Sequence, residues 1–346
     1  MKNSKLSKFL LFSLAPSLLI LFSFLYALYL VPTQIVFGFD QARDAYEAFS
    51  IYHNHDIKIL GPSSDIVGVN HGVLWFYVLA LVYFLGNSMP ENAVYLLLVA
   101  LYALVPVIGY FTYKMSKSAV VTWITLVLYV MSPLFLSFTH WLSNPLLALY
   151  ITPPLLYLLW KYLHKPSALV AGGIGLLYAL LIHSDFAYVV FVLLLPIYYF
   201  AYSLRFRMWD ILSFGAGLLL GLTTFFLTYL KFQTNIVNIV FGFIFKSSSD
   251  GFSVGTTVFS FFDNVIRLLS FTYLPLPRLF IFILLVVLFI RFRKVFFTQV
   301  DRLLLFLLIW LSGFIFIFVL NHGTLLHSFF YGPFLYPLAL LVALYL

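Results

Sequence analysis

Long apolar runs separated by short polar segments dominate the chain. These runs repeatedly approach the roughly 20 residues that an α-helix needs to cross about 30 Å of hydrocarbon. The pattern therefore predicts an all-α membrane protein with about ten transmembrane helices. We place them near residues 9–31, 94–113, 119–138, 146–160, 168–184, 186–204, 211–231, 278–292, 303–320 and 328–346.

One further run, 72–86, has 15 residues and is short for a span. Three arrangements are open for it: the run crosses the membrane, forms a re-entrant segment, or lies along the membrane interface. If it does not cross, 13 of the 19 basic residues are cytoplasmic, whereas crossing leaves seven there. The positive-inside rule favours the first arrangement, with a cytoplasmic amino terminus. The 13 residues are Lys2, Lys5, Lys8, Lys114, Lys117, Lys161, Lys165, Arg205, Arg207, Arg291, Arg293, Lys294 and Arg302.

Composition supports the membrane assignment, because 64% of the residues are hydrophobic and only 9% are charged. The net charge of +8 says little about nucleic acid, since the basic residues form short clusters between apolar runs, and we expect no nucleic-acid partner. Cysteine is absent, which excludes disulfides and thiolate chemistry. The first apolar run is too long for a signal peptide, so we expect an uncleaved span.

We predict a single polytopic membrane domain over 1–346, without the internal repeats of many transporters. Its first extracytoplasmic loop is 32–93, and a second large outer segment is 232–277. The chain stops at Leu346 within an apolar run and without a basic flank, so further spans or a soluble domain could follow.

The chosen topology places nine of the eleven acidic residues outside. Acidic residues barely influence topology, so their concentration on one face calls for a functional reason. Within the first outer loop, 40–52 is predicted to form a surface helix, with Asp40, Asp44 and Glu47 on one face. Its apolar stripe would be Ala42, Ala45, Ala48, Phe49 and Tyr52. Arg43 is placed to pair with Asp40 or Glu47.

Two interpretations of this helix remain open at this point. A solvated acidic face is common on amphipathic connectors. Carboxylates beside a dry apolar wall can instead act as general bases, and Asp40, Asp44 and Glu47 are the candidates. Helical spacing alone does not rank them.

The loop resembles that of a known family. The runs FDQARDAYEAFSIY and HGVLWFYVLALVYFLGNS, joined through GP, resemble the first loop of polytopic GT-C-fold glycosyltransferases, which include protein O-mannosyltransferases and lipid A aminoarabinose transferases. Two later segments, HWLSNPLLALY at 140–150 and LLYALLIHSDF at 176–186, are similar more faintly. Quotable motifs cover about the first 90 residues.

The resemblance implies a GT-C-like fold and a polyprenyl-phosphate sugar donor. Transfer would proceed with inversion to a lipid, glycan or protein acceptor, on the outer face of the cytoplasmic (inner) membrane. Asp40 matches the family's catalytic aspartate, which removes the proton from the acceptor hydroxyl. The family often has an acidic residue next, but here it is Gln41, so a second acidic role is left open.

Several other residues are candidates for substrate binding. Cations stabilise a departing phosphate, and Lys231 and Arg267 are our preferred partners among the outer cations. For each of them taken alone, snorkelling near a span end is the simpler explanation, and only together do they indicate a phosphate site. In the matched segments we add Gln41, Arg43, His71, Asn144 and His183. No metal site is predicted, because no histidine pair has a recognisable ligand spacing, although a divalent-metal requirement stays open.

Two rival functions follow from the same pattern. A transporter or flippase of lipid-linked saccharide would place ionisable groups near the bilayer midplane and break helices at repeated positions. A polysaccharide polymerase or ligase would have a large late outer loop with paired arginines. The ionisable residues here lie mostly at the outer edge, which favours the transferase.

Overall fold

A computed structural model of the chain describes residues 2–64, 68–204, 207–233, 239, 254–273, 302–320 and 326–345. The predicted span 278–292 lies outside them. The described residues are mainly helical and form no β-strand, only isolated bridges between Val36 and Trp141 and between Ser63 and Asn70.

Fifteen α-helices are present in the described ranges, with 3-10 helices at Asn144–Leu146, Phe186–Leu193 and Ser328–Tyr331. The α-helices are α1 Lys2–Gln34, α2 Phe39–Asn54, α3 Leu74–Leu85, α4 Pro90–Ala103, α5 Val105–Ser116, α6 Ala119–Val130, α7 Pro133–Thr139, α8 Leu147–His164, α9 Ala168–Ser184, α10 Leu194–Ala201, α11 Met208–Gly221, α12 Thr223–Phe232, α13 Val254–Tyr273, α14 Arg302–Leu320 and α15 Gly332–Tyr345.

Four helical stretches in the described part of the chain are long and apolar enough to cross a membrane: Ser13–Gln34, Pro90–Ser116, Asn144–His164 and Arg302–Val319. Counting each of two bent helix pairs as one span raises the number to six. The chain is thus an all-helical protein with the character of a multi-pass membrane protein. The total of about ten spans stays a prediction.

The two bent pairs correspond to the predicted spans 119–138 and 211–231. Helices α6 and α7 meet at 55°, and α11 and α12 meet at 57°. Pro133 begins α7, where its missing N–H needs no partner, and the Ser132 hydroxyl accepts a hydrogen bond from Phe135 N at 3.0 Å. The sequence therefore ends one helix and starts another within a single apolar run.

The ambiguous run 72–86 forms α3, a helix of 12 residues. At 1.5 Å per residue it is about 18 Å long, shorter than the hydrocarbon layer. It packs along α2, the helix of the acidic loop. This length agrees with the arrangement in which the run does not cross.

Helices α9 and α11 pack at very short range through glycine. A Cβ atom on Gly217 would lie 2.0 Å from the Gly172 carbonyl oxygen, and one on Gly175 would lie 2.1 Å from the Phe214 carbonyl oxygen. Small residues that let backbones approach closely are typical of helix contacts in membranes. The contact fixes α11 and, through it, the start of α12.

We expect Gly217→Ala to destabilise the protein by about 1–3 kcal/mol, because the new methyl group collides with the backbone of α9. Gly215→Ala is the matched control in the same helix, since a Cβ there meets nothing within 4 Å. Thermal melts of the purified variants in detergent measure the difference. Equal midpoints for the two variants would contradict the close packing.

The loops that connect the helices lie in two groups, one at each end of the helices. At one, Val36 N donates to the His140 carbonyl at 3.1 Å, and Gly72 N donates to the His183 carbonyl at 3.2 Å. At the other, Arg207 Nη1 donates to the Pro166 carbonyl at 3.4 Å. The first group holds the acidic loop, and the second holds segments predicted to be cytoplasmic.

Candidate functional site

Helix α2 carries the acidic residues of the first loop, and its start is defined by Gly38 and Gln41. The Gly38 N–H donates to Gln41 Oε1 at 2.9 Å, which satisfies one of the free donors at the helix start. Gln41 is buried. Its side chain therefore caps the amino-terminal end of α2, a role different from the substrate binding expected for it. Asp40 lies in the first turn, where the helix dipole favours a negative charge.

The expected division of α2 into apolar and acidic faces is wrong in part. Helix formation over 40–52 is confirmed, but Ala42 and Phe49 are exposed, whereas Gln41 and Asp44 are buried. Asp44 turns inward because its carboxylate accepts a hydrogen bond from Trp75 Nε1 of α3 at 3.0 Å. A buried hydrogen-bond partner overrides the simple hydrophobic pattern.

Arg43 connects the acidic groups of α2. Its Nη1 lies 3.0 Å from Asp40 Oδ1, and its Nη2 and Nε lie 2.8 and 2.9 Å from Asp44 Oδ1. Nη1 also donates to Ser63 Oγ at 2.9 Å. The side chain of Asp40 is 67% exposed and that of Asp44 only 3%. The buried Asp44 carboxylate thus holds the Arg43 guanidinium in place, while the Asp40 carboxylate is accessible to solvent or a ligand.

Burial raises the pKa of the Asp44 carboxyl group, and Arg43 and Trp75 oppose that effect through their hydrogen bonds. A folded-state pKa above the ordinary value means that the folded protein holds this proton more tightly than the unfolded chain does. The resulting stabilisation is present below about pH 3.8 and is lost as the pH rises through the raised pKa.

We expect the stability of the wild type relative to Asp44→Asn to fall as the pH is raised from 4 to 7. The variant keeps the side-chain shape and does not titrate at this position. Thermal melts of both proteins across that range measure the effect. A midpoint difference that does not change with pH would contradict the burial effect.

Glu47 does not join the other two carboxylates. Its Oε2 lies 2.8 Å from Lys58 Nζ, and Lys58 also lies 3.7 Å from Asp56 Oδ2. The hydrogen bond to Glu47 raises the pKa of Lys58, so the ammonium stays charged. The sequence prediction that Arg43 pairs with Asp40 holds, while the pairing of Glu47 is with Lys58.

A groove of about 460 Å³ opens beside these residues. Arg43 and Glu47 of α2 line one side, Lys58 and the loop that follows it line another, and Lys231 at the end of α12 completes the wall. The remaining lining is mainly apolar and includes Ile57, Ile59, Leu60, Pro62, Phe76 and Phe232. Three cations and one carboxylate therefore meet in a groove with an apolar floor.

The loop before α3 is held against the end of α9 by His183. Leu74 N donates to His183 Nδ1 at 3.3 Å, so the proton resides on Nε2, which donates to the Gly221 carbonyl at 2.9 Å. Both ring nitrogens are engaged by backbone groups. His183 accordingly positions the loop in this structure.

Asn144 and His71 belong to the same contact region. Asn144 Nδ2 donates to the Ser184 carbonyl at 2.6 Å, and His71 Nδ1 accepts from Phe186 N at 3.4 Å. His71 also lines a cavity of about 200 Å³ between the loop and α12. The three segments that carry the family resemblance therefore meet in space.

Arg267 is not among the residues that line the groove beside α2. It forms an ion pair with Asp263 one turn earlier in α13, with Nε 2.8 Å from Oδ2. Helix α13 packs on α7. The expectation that Arg267 and Lys231 act on the same phosphate thus has no geometric support here, although Lys231 is placed in the groove.

No cluster of three or more His, Asp or Glu side chains that could hold a metal ion occurs among the residues described. Comparison with known proteins adds no identification: no family model, curated protein or solved structure matches this chain.

Sequence reasoning missed three residues that shape the site. Lys58 was counted among the outer cations but not preferred, although it comes 11 positions after its partner Glu47 across the helix end. An aromatic residue at the start of a short apolar run favours an interfacial anchor, yet Trp75 is fully buried against Asp44. Gly72 received no role. Its closeness to His183 depends on long-range packing that spacing along the chain does not reveal.

Proposed function

We propose that this chain is a glycosyltransferase of the cytoplasmic (inner) membrane with a GT-C-like fold. It transfers a sugar from a polyprenyl-phosphate donor to an acceptor hydroxyl, with inversion. The amino terminus is cytoplasmic and the reaction takes place on the extracytoplasmic face. The acceptor is a lipid, a glycan or a protein.

The groove that gathers Arg43, Lys58 and Lys231 carries this proposal. Charged donors aimed at phosphate oxygens stabilise the negative charge of a departing phosphate, and they do so most strongly where water is scarce. Arginine adds a planar fork that binds two oxygens at once. The apolar groove floor suits the lipid end of the donor.

Asp40 is the general base in this mechanism. Its carboxylate accepts the proton of the acceptor hydroxyl as that oxygen bonds to C1 of the sugar. The bond from C1 to the phosphate oxygen breaks, and the electron pair leaves with polyprenyl phosphate. In the free protein Arg43 pairs with Asp40, and a bound phosphate competes for the same guanidinium, which frees the carboxylate.

The other two carboxylates support this arrangement. Asp44 is buried beneath Arg43 and Trp75, so an acceptor does not reach it in this conformation. Glu47 holds Lys58 in the groove. Both are fallback bases by sequence, and their contacts favour positioning roles.

A transfer assay in membranes with a panel of polyprenyl-phosphate sugars tests the proposal. Wild-type membranes should form a glycosylated product with at least one donor and release polyprenyl phosphate. Movement of an intact lipid-linked saccharide between leaflets, with no transfer from any donor, would instead support the flippase alternative.

A further inference from the structure

A third cavity lies at the opposite group of helix ends, far along the helices from the acidic loop. Its volume is about 100 Å³, and it is lined by residues of α8, α9, α10 and α11. Tyr162, Tyr198, Tyr199 and Phe214 supply aromatic walls, and aliphatic side chains fill most of the rest. Asp210 is the one acidic residue that lines it.

Asp210 is only 3% exposed. Its Oδ2 accepts a hydrogen bond from the Tyr162 hydroxyl at 2.9 Å, and the Tyr162 and Tyr199 hydroxyls lie 2.7 Å apart. Among the residues the structure describes, no lysine, arginine or histidine forms an ion pair with it. The carboxylate thus lines the cavity with hydroxyl partners, and no basic residue in the described part of the chain supplies a counter-charge.

A buried carboxylate without a cation is costly, because a hydroxyl donor replaces only part of its hydration. Its place in the first turn of α11 compensates a fraction of that cost through the helix dipole. A cation entering the cavity would compensate more. Aromatic faces attract organic cations as well, by cation–π interaction.

We propose that this cavity binds the ammonium group of an alkylamine. The ammonium pairs with the Asp210 carboxylate and lies against the faces of the surrounding tyrosines. Amine binding at this end of the helices is separate from the transferase proposal, because no lining residue is shared with the groove beside α2.

A phospholipid headgroup and a free amine both supply this chemistry. Arg207, three positions before Asp210, is exposed and bonded to the Pro166 carbonyl between α8 and α9. A cation at that position complements the phosphate of an aminophospholipid whose amine enters the cavity. We therefore expect phosphatidylethanolamine to bind better than ethanolamine.

The test uses the full-length protein, delipidated in detergent and then titrated with lipid while native mass spectrometry counts retained molecules. Phosphatidylethanolamine should be retained about tenfold more tightly than phosphatidylglycerol or N-acetylated phosphatidylethanolamine, whose nitrogen is uncharged. Asp210→Asn should remove that preference. Glu91→Gln, an exposed acid in the first turn of α4, is the control and should keep it.

Equal retention of the acetylated and unmodified lipids by the wild type, together with no protection from thermal unfolding by ethanolamine, would overturn the proposal, and neither measurement depends on the folding of a variant. So would a preference that survives in Asp210→Asn. A parallel titration with ethanolamine identifies the source. Protection from thermal unfolding by ethanolamine, without preferential lipid retention, would assign the ammonium site to a free amine.

Discussion

Asp40→Asn is expected to lower the rate of sugar transfer by about 10²–10⁴-fold, the contribution usual for a general base. Asparagine keeps the size of the side chain but does not accept the acceptor's proton. Asp40 is largely exposed, so its replacement should leave the thermal midpoint nearly unchanged. Initial rates in membranes containing equal amounts of each protein measure the effect.

Glu91→Gln is the matched control for this variant as well, because Glu91 is another exposed acid in a helical first turn of the same predicted outer loop. It should transfer sugar at the wild-type rate. Full activity of Asp40→Asn would remove Asp40 as the base. Loss of activity in Glu47→Gln alone would move that role to Glu47.

Gly72→Ala is expected to abolish most transfer and to lower stability by about 1–3 kcal/mol or more. A Cβ atom on Gly72 would lie 2.0 Å from His183 Nδ1 and 2.6 Å from His183 Cα. The backbone atom does not rotate away, so the loop must move. Because this loop connects the groove wall to α3, its displacement also separates Asp44 from Trp75.

Gly215→Ala again provides the control, since the same added methyl group meets open space. Protein yield, thermal midpoint and transfer rate should all stay near wild type in that variant. The double variant Gly72→Ala/His183→Ala should lose less stability and less activity than the two single variants lose together, because the two residues share one contact. Strict additivity would argue against that contact.

Much of the fold was predictable because a membrane allows few solutions. Apolar runs near span length must be helical, since unpaired backbone groups are costly in hydrocarbon. Most of the described helices accordingly fall on the predicted runs, whereas α2 and α13 lie in the segments predicted to be outer loops. Helix breaks were less predictable: Ser132 and Pro133 lie inside an apparently continuous run, and the break at Leu222 has no proline.

The candidate site was predictable in its location but not in its contacts. Density of ionisable residues identified the first loop, and helical spacing placed Asp40 beside Arg43. Nothing in the spacing shows that Asp44 faces Trp75, because that contact depends on how α3 folds back against α2. The pairing of Glu47 with Lys58 likewise requires the chain to turn after α2.

The most direct test uses purified wild-type protein in liposomes that hold a polyprenyl-phosphate sugar and an acceptor as the only substrates. The proposed function predicts one polyprenyl phosphate released for each glycosylated acceptor, with inverted configuration at C1. Intact donor that crosses the bilayer without cleavage, or a product with retained configuration, would contradict it.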